Sequence, residues 1–331
     1  MLDDFKAQPH QSAETRGKPS SSNIMSPTKQ GRKIAIVGAT GSVGTPTLEG
    51  LIAQGIHTIT VITRPDSTNK IPEAGVARVE RGVASDSDFA VRVLKDQDVL
   101  VMQLGVGAMG DQPLWIEAAA KAGVPLVVPT EFGSDPDPES RIVQEVPMLS
   151  GKKPVRDLIE ERGMAWFAMV NNPWFDWSLP KGLWGFDVAA RTARLYDGGR
   201  TKFPTTNIGT VGKATAGLLS LPDAELAKFR NKPVFLKSFY ITQRDVLASL
   251  LKATGTEEKD WKIEEVDSDK FIEQGVKAGT ELDFISAFYA MHMTEGRGGD
   301  YSHKIGDNME LLGAVEKETL DETVARAIKG I

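Results

Sequence analysis

The sequence predicts an α/β protein built on a doubly wound parallel sheet. Three observations carry that expectation. Residues 33–44 read K-I-A-I-V-G-A-T-G-S-V-G, a β-branched run that ends in glycines and passes into a helical pattern over residues 47–54. Apolar strand-like stretches then alternate with helical ones as far as residue 171, the arrangement of parallel strands joined by right-handed crossovers. The 331 residues, 40% hydrophobic and 25% charged, have the composition of a soluble globular chain long enough for one large or two modest domains.

The glycine turn organises the rest. Gly38, Gly41 and Gly44 are spaced G-x-x-G-x-x-G. Gly38 lets the strand turn sharply, Gly41 removes a side chain where a phosphate must approach, and Gly44 permits close packing of helix on sheet. The free amides of Thr40, Ser42 and Val43 would then face an anion at the positive end of the helix. A strand before the turn and a helix after it make this a dinucleotide site of Rossmann type.

Residues 58–63 form the second strand, and Arg64 stands at its end. An acidic residue there would accept from a ribose 2′-hydroxyl and select NAD. An arginine instead offers a planar fork to a 2′-phosphate, with Lys70 as a second charge, and this points to NADP(H). A third strand is expected at 76–80, a helix at 86–94 and a nearly continuous apolar strand at 98–104. Gly105 and Gly107 loosen the loop that follows. A helix at 111–123 and a fifth strand at 124–129 come next. Ligands of such sheets lie beyond the carboxyl ends of the strands. Gln103, Leu104 and Gly105 on one loop, and Thr130, Glu131 and Phe132 on the other, are therefore candidate cofactor contacts. Residues 148–162 read as a helix carrying Lys152, Lys153 and Arg156, and 166–171 as a sixth strand before Asn172-Pro173-Trp174-Phe175.

Several classes are excluded. A net charge of −6 gives no footprint for nucleic acid. The absence of cysteine removes disulfides, thiolate metal sites and a cysteine nucleophile. The four histidines are scattered without metal-ligand spacing, so no metal is expected. No apolar run approaches the roughly 20 residues needed to span a membrane. Residues 1–32 are expected to be a disordered polar tail. It lacks the apolar segment of a secretory signal, and Asp3, Asp4 and Glu14 argue against a transit peptide, which leaves a cytoplasmic protein.

The four tyrosines, Tyr196, Tyr240, Tyr289 and Tyr301, have Arg200, Arg244, Met293 and Ile305 four residues on. The tyrosine–lysine pair of the better-known short-chain dehydrogenases is thus missing. G-A-T-G-S-V-G, Arg64, P-T-E-F-G at 129–133 and L-S-G-K-K-P-V-R-D-L-I-E at 149–160 together resemble the isoflavone reductase-like, NmrA-like family, atypical members of that superfamily. The resemblance runs from about residue 33 to the C-terminus and is strongest before Asn172. It implies an NADP-binding Rossmann domain, here 33–173 with 205–222 returning to it, and a smaller α+β substrate domain in 174–331. It also implies a functional lysine after the E-F-G loop. Lys152 fits that place as catalytic residue or cofactor holder, with Lys153 as the adjacent competitor. Two departures stand out: Arg81-Gly82-Val83-Ala84 replaces a common Gly-Asp loop, and Thr130 replaces a serine.

In the second part, strands are expected at 192–195, 202–206, 234–241 and 261–266. Helices are expected at 208–220, 242–254, 268–278, 282–293 and 314–328. Phe132, Asn172, Trp174 and Phe175 are candidate substrate-lining residues, with plain interdomain core as the alternative for the aromatics. Tyr301 and His303 sit in a glycine-rich stretch at 295–304 that either covers the pocket or simply connects two helices. Two functions stay open. One is an NADPH-dependent reductase of a small aromatic or conjugated metabolite. The other is a non-catalytic NADP-binding regulator acting through a protein partner. A monomer and a homodimer are equally compatible with the sequence.

Overall fold

The structure, a computed structural model, describes residues 28–331. Of the expected tail, residues 1–27 lie outside the described residues. Residues 28–32 were expected to continue it, but hydrogen bonds anchor them. The Gln30 amide donates to the Ser220 carbonyl (2.8 Å), and the buried Arg32 guanidinium reaches the Leu219 carbonyl (2.7 Å) and Asp223 (2.6 Å).

Among the described residues the main sheet has eight parallel strands: the short Phe132–Gly133 pairs with Ala165–Val170, and seven others run across the sheet in one row. From edge to edge they are Lys232–Phe235, Ala165–Val170, Leu126–Val128, Val99–Met102, Lys33–Val37, Thr58–Thr63 and Arg78–Arg81. Ile34, Ala35, Ile36 and the whole of Val99–Met102 are buried, because helices cover both faces; this explains runs that are apolar throughout rather than alternating. The chain leaves Lys33–Val37 toward one edge and returns on its other side as Val99–Met102. The crevice beyond these two strands is the topological switch point where ligands of such sheets sit.

Helix Ile208–Leu219 contributes Val211, Ala214, Ala216, Leu218 and Leu219 to the main core. The Ile208–Leu219 helix packs on the Gly44–Gln54 helix so closely that a Cβ on Gly50 would lie 2.9 Å from the Gly212 carbonyl oxygen. Two more segments from beyond residue 173 join it. One is the edge strand Lys232–Phe235. The other runs through Tyr301, Ile305, Met309 and Leu312, all in the main core. A second core lies around a three-stranded sheet of Lys262–Val266, Thr192–Tyr196 and Phe186–Asp187, where Trp184 stacks on Phe203 at 5.4 Å.

Three expected elements are corrected. The single strand at 234–241 is two, because the chain changes sheets. The Leu236 amide donates to the Val170 carbonyl, whereas the Ser238 amide donates to that of Thr205, and Phe239–Ile241 pairs antiparallel with Phe203–Thr205. The helix at 148–162 is broken into Pro147–Ser150 and Lys153–Glu161, with Gly151 and Lys152 at the joint. The terminal helix begins at Leu320 rather than at 314, where Thr319 and Glu322 form a reciprocal cap.

Candidate functional site

A cavity of about 560 Å³ opens at the switch point, and Gly38, Thr40, Gly41, Arg64, Gln103, Leu104 and Gly105 of the expected contacts all line it. Gly38 has a φ of +84°, and a Cβ there would overlap the Gln103 carbonyl oxygen. The turn and the fourth strand therefore touch backbone to backbone. A Cβ on Gly41 would lie 3.3 Å from the Gly38 oxygen, with nothing else within van der Waals reach but the Gln103 carbonyl at 3.9 Å. Gly44 does a different job from the helix–sheet packing expected of it: its Cβ would overlap the Gly38 carbonyl, so it closes the turn on itself.

The helix starts without a capping side chain, since Val43 occupies the N-cap position. The amides of Thr40, Ser42 and Val43 donate to no group among the described residues. Unpaired donors grouped at a helix start cost stability unless water or an anion satisfies them, and they make a phosphate cradle. Arg64 is on the rim, 78% exposed at its side chain, with only a loose approach to Asp66 at 3.9 Å. Lys70 is exposed and does not line the cavity. Asn69 takes the wall position and donates to the Thr40 hydroxyl at 2.9 Å. Gly82 lines the cavity, and a Cβ there would run into the Phe89 ring, which gives the unusual Arg81–Ala84 loop its own packing logic.

The second loop is joined to the first by Thr130. Its hydroxyl donates to the Met102 carbonyl (3.2 Å) and accepts from the Leu104 amide (3.3 Å), and its own amide donates to Gln112 (2.8 Å). The bridge needs only a hydroxyl, so threonine serves as well as serine. Thr130, Glu131 and Phe132 stand behind the cavity wall. Phe132 is in the main core. Glu131 is buried and receives Arg156 Nη1 on Oε2 at 2.6 Å, while its Oε1 has no partner among the described residues.

Lys152 lies within electrostatic reach of this pair. Burial pushes its amine below the ordinary lysine range, Glu131 opposes that shift, and Arg156 adds to it. Burial likewise raises the Glu131 carboxyl, against the pull of Lys152 and Arg156. Lys153 is exposed and tied to Asp157 at 2.7 Å. Of the two neighbouring lysines, Lys152 is thus the half-buried one and Lys153 the exposed one.

The expected substrate wall is largely core. Phe175 is fully buried against Trp184 and Phe239. Tyr301 is fully buried, and its hydroxyl donates to the Leu236 carbonyl at 2.9 Å. Asn172 has a φ of +53° and donates to the Pro204 and Gly299 carbonyls (2.7 and 2.8 Å). These three cannot reach a substrate as arranged. Trp174 is half-buried, edge-on to Trp177 at 5.5 Å. His303 lines a separate polar cavity of about 630 Å³ with Asp135, Tyr240 and Lys304. The 295–304 stretch is anchored, since buried Arg297 pairs with Glu145 and Asp269.

Sequence reasoning passed over His292, whose neighbours lie far away in the chain. Its Nδ1 faces the Phe288 carbonyl (2.8 Å), which fixes the proton there, so Nε2 accepts from the Ser134 hydroxyl (2.8 Å). Burial lowers its pKa to about 4, and burial beside Arg32 does the same to His57. Both histidines are therefore neutral when folded and bind protons only when unfolded, between about pH 6.5 and 4. Stability should fall as pH drops through that window, by roughly 3 kcal/mol for His292. Thermal melting followed from pH 7 to 4.5 should show a falling Tm; a flat profile would contradict neutral burial.

Residues 30–176 match the NmrA-like family. Oxidoreductase aprR of Aspergillus flavus is 28% identical over 305 residues, 90% of this chain and 99% of the relative. Among solved structures, isoflavone reductase superposes with a TM-score of 0.74 at 22% identity, covering 90% of this chain and 99% of the other. The complex of leucoanthocyanidin reductase with NADPH from Vitis vinifera superposes with a TM-score of 0.73 at 19% identity, covering 89% and 99%.

Proposed function

We propose that this chain, an oxidoreductase of the isoflavone reductase-like, NmrA-like group, is an NADPH-dependent reductase of a small aromatic or conjugated metabolite. The observation that carries the cofactor assignment is the set of amides at Thr40, Ser42 and Val43, unpaired among the described residues, beside a cavity that also holds Arg64. The amides fit a diphosphate, and the guanidinium fits a 2′-phosphate at the end of the second strand. NADPH bound there would supply a hydride to an electrophilic carbon.

This chain's own residues position and protonate. The Thr130 bridge fixes the Leu104 loop on the cavity wall. Lys152, desolvated next to Glu131, is suited to give a proton from Nζ to the charge that develops on the substrate. Placed at the same spot, it can also hold the ribose or the carboxamide by hydrogen bonds.

Arg64→Ser tests the cofactor assignment. The Kd for NADPH should rise about tenfold or more while that for NADH stays near its wild-type value. The check is a fluorescence titration of both cofactors against both proteins. Equal losses for the two cofactors would remove Arg64 from 2′-phosphate recognition.

A further inference from the structure

We propose that Arg156 is the positioning residue for Lys152: it clamps the Glu131 carboxylate through one oxygen and, as the second cation of a three-charge cluster, governs how Lys152 holds its proton. The assignment of a task to Lys152 rests on the reductase reading above; the Arg156–Glu131 contact and the helix face that Arg156 shares with Lys152 rest on geometry.

Arg156 and Lys152 stand one helical turn apart, and the Arg156 amide donates to the Lys152 carbonyl at 3.3 Å. Residues spaced in this way share a face. Arg156 Nη1 reaches Glu131 Oε2 at 2.6 Å, and the two side chains are only 11% and 6% exposed. The guanidinium also lies 5.3 Å from the Trp166 ring, whose Nε1 donates to Glu160 at 2.7 Å, so it is gripped from two sides. The backbone of Glu131 is equally fixed. Its carbonyl accepts from the Met169 amide at 2.9 Å. Glu131 thus holds Arg156 by a buried hydrogen bond, half-buried Lys152 stands within its electrostatic reach, and its Oε1 is still unpaired among the described residues.

The two neighbours of Lys152 act in opposite senses. Glu131 favours the ammonium, and Arg156 favours the free amine. Removing Arg156 leaves Lys152 as the main counter-ion of a buried carboxylate, so the lysine should hold its proton more tightly. Removing the charge of Glu131 leaves two cations together, and the proton should be released more readily. A merely structural cluster would behave differently, because loosening it from either side would hydrate Lys152 and move its titration upward both times.

The test is competitive acylation of amines in the full chain across pH 6 to 10, without cofactor or substrate. Mass spectrometry reads Lys152, with Lys153 as the internal reference. In Arg156→Gln the reactive amine fraction of Lys152 at a given pH should fall about tenfold, and in Glu131→Gln it should rise. Arg156→Lys, which keeps the cation, should stay near wild type and serves as the folding control. Movement of both Gln variants in one direction, or no movement, overturns the proposal. The pH profile of NADPH turnover in the same proteins tests the reductase reading separately. If acylation shifts as expected but turnover ignores it, Arg156 positions a lysine that is not the proton donor.

Discussion

Lys152→Ala should lower kcat by about a hundredfold or more while leaving the Kd for NADPH within about threefold. The size follows from the work assigned to the side chain, since a positioned general acid contributes roughly 10²–10⁴-fold. Retained binding follows from the cavity, whose walls are the glycine turn, Arg64 and the Leu104 loop and do not include Lys152. Lys153→Ala is the matched control. Its ammonium is exposed and committed to Asp157 at 2.7 Å, so neither rate nor binding should change. Stopped-flow reduction with saturating NADPH separates the hydride step from product release. Loss of NADPH binding in Lys152→Ala would make the lysine a cofactor holder instead.

Gly38→Ala should abolish measurable NADPH binding and destabilise the fold by about 3 kcal/mol or more. Two costs combine. The position needs a φ of +84°, unfavourable for any residue with a Cβ, and that Cβ would overlap the Gln103 carbonyl of the neighbouring strand. Neither backbone can retreat without opening the core between Ile36 and Val101, which are both fully buried. Gly55→Ala separates the two costs. It has a φ of +67° but none of the described residues within 4 Å of its would-be Cβ, so only about 1 kcal/mol of backbone strain is expected, with binding intact. Equal melting temperatures for the two variants would contradict the close approach.

The five inner strands of the large sheet were legible in the sequence because each is a short, largely apolar run, and because the glycine turn fixed their direction. The same turn lines the cavity. Where the reading failed, the deciding contact was distant in the chain. Residues 234–241 look like one strand because both halves are apolar, yet the first pairs with Ala165–Val170 and the second with Phe203–Thr205. Tyr301 sits in a polar, glycine-rich stretch that suggests exposure, and only the fold shows its hydroxyl bonded to the Leu236 carbonyl. Phe175 belongs to a loop after a strand, but Trp184 and Phe239 close over it.

The joint at Gly151 had a local signal, a glycine between two helical patterns. Adjacent helical positions point about 100° apart, and here Lys152 is half-buried within electrostatic reach of Glu131 while Lys153 stands in solvent. Arg156 was visible in the sequence as a third basic residue of the same helix. Its partner Glu131 was also singled out, but on a loop 25 residues earlier, and nothing in the spacing joins the two.

On the proposed reading, this site reduces a small molecule with NADPH. The most direct test follows cofactor absorbance for wild type against a panel of enones, quinones, imines and aryl ketones, with the Kd for NADPH measured alongside. Turnover of one class, lost in Lys152→Ala and kept in Lys153→Ala, is the expected result. Tight NADPH binding with no turnover of any class would contradict it and favour a protein that senses the cofactor through a partner.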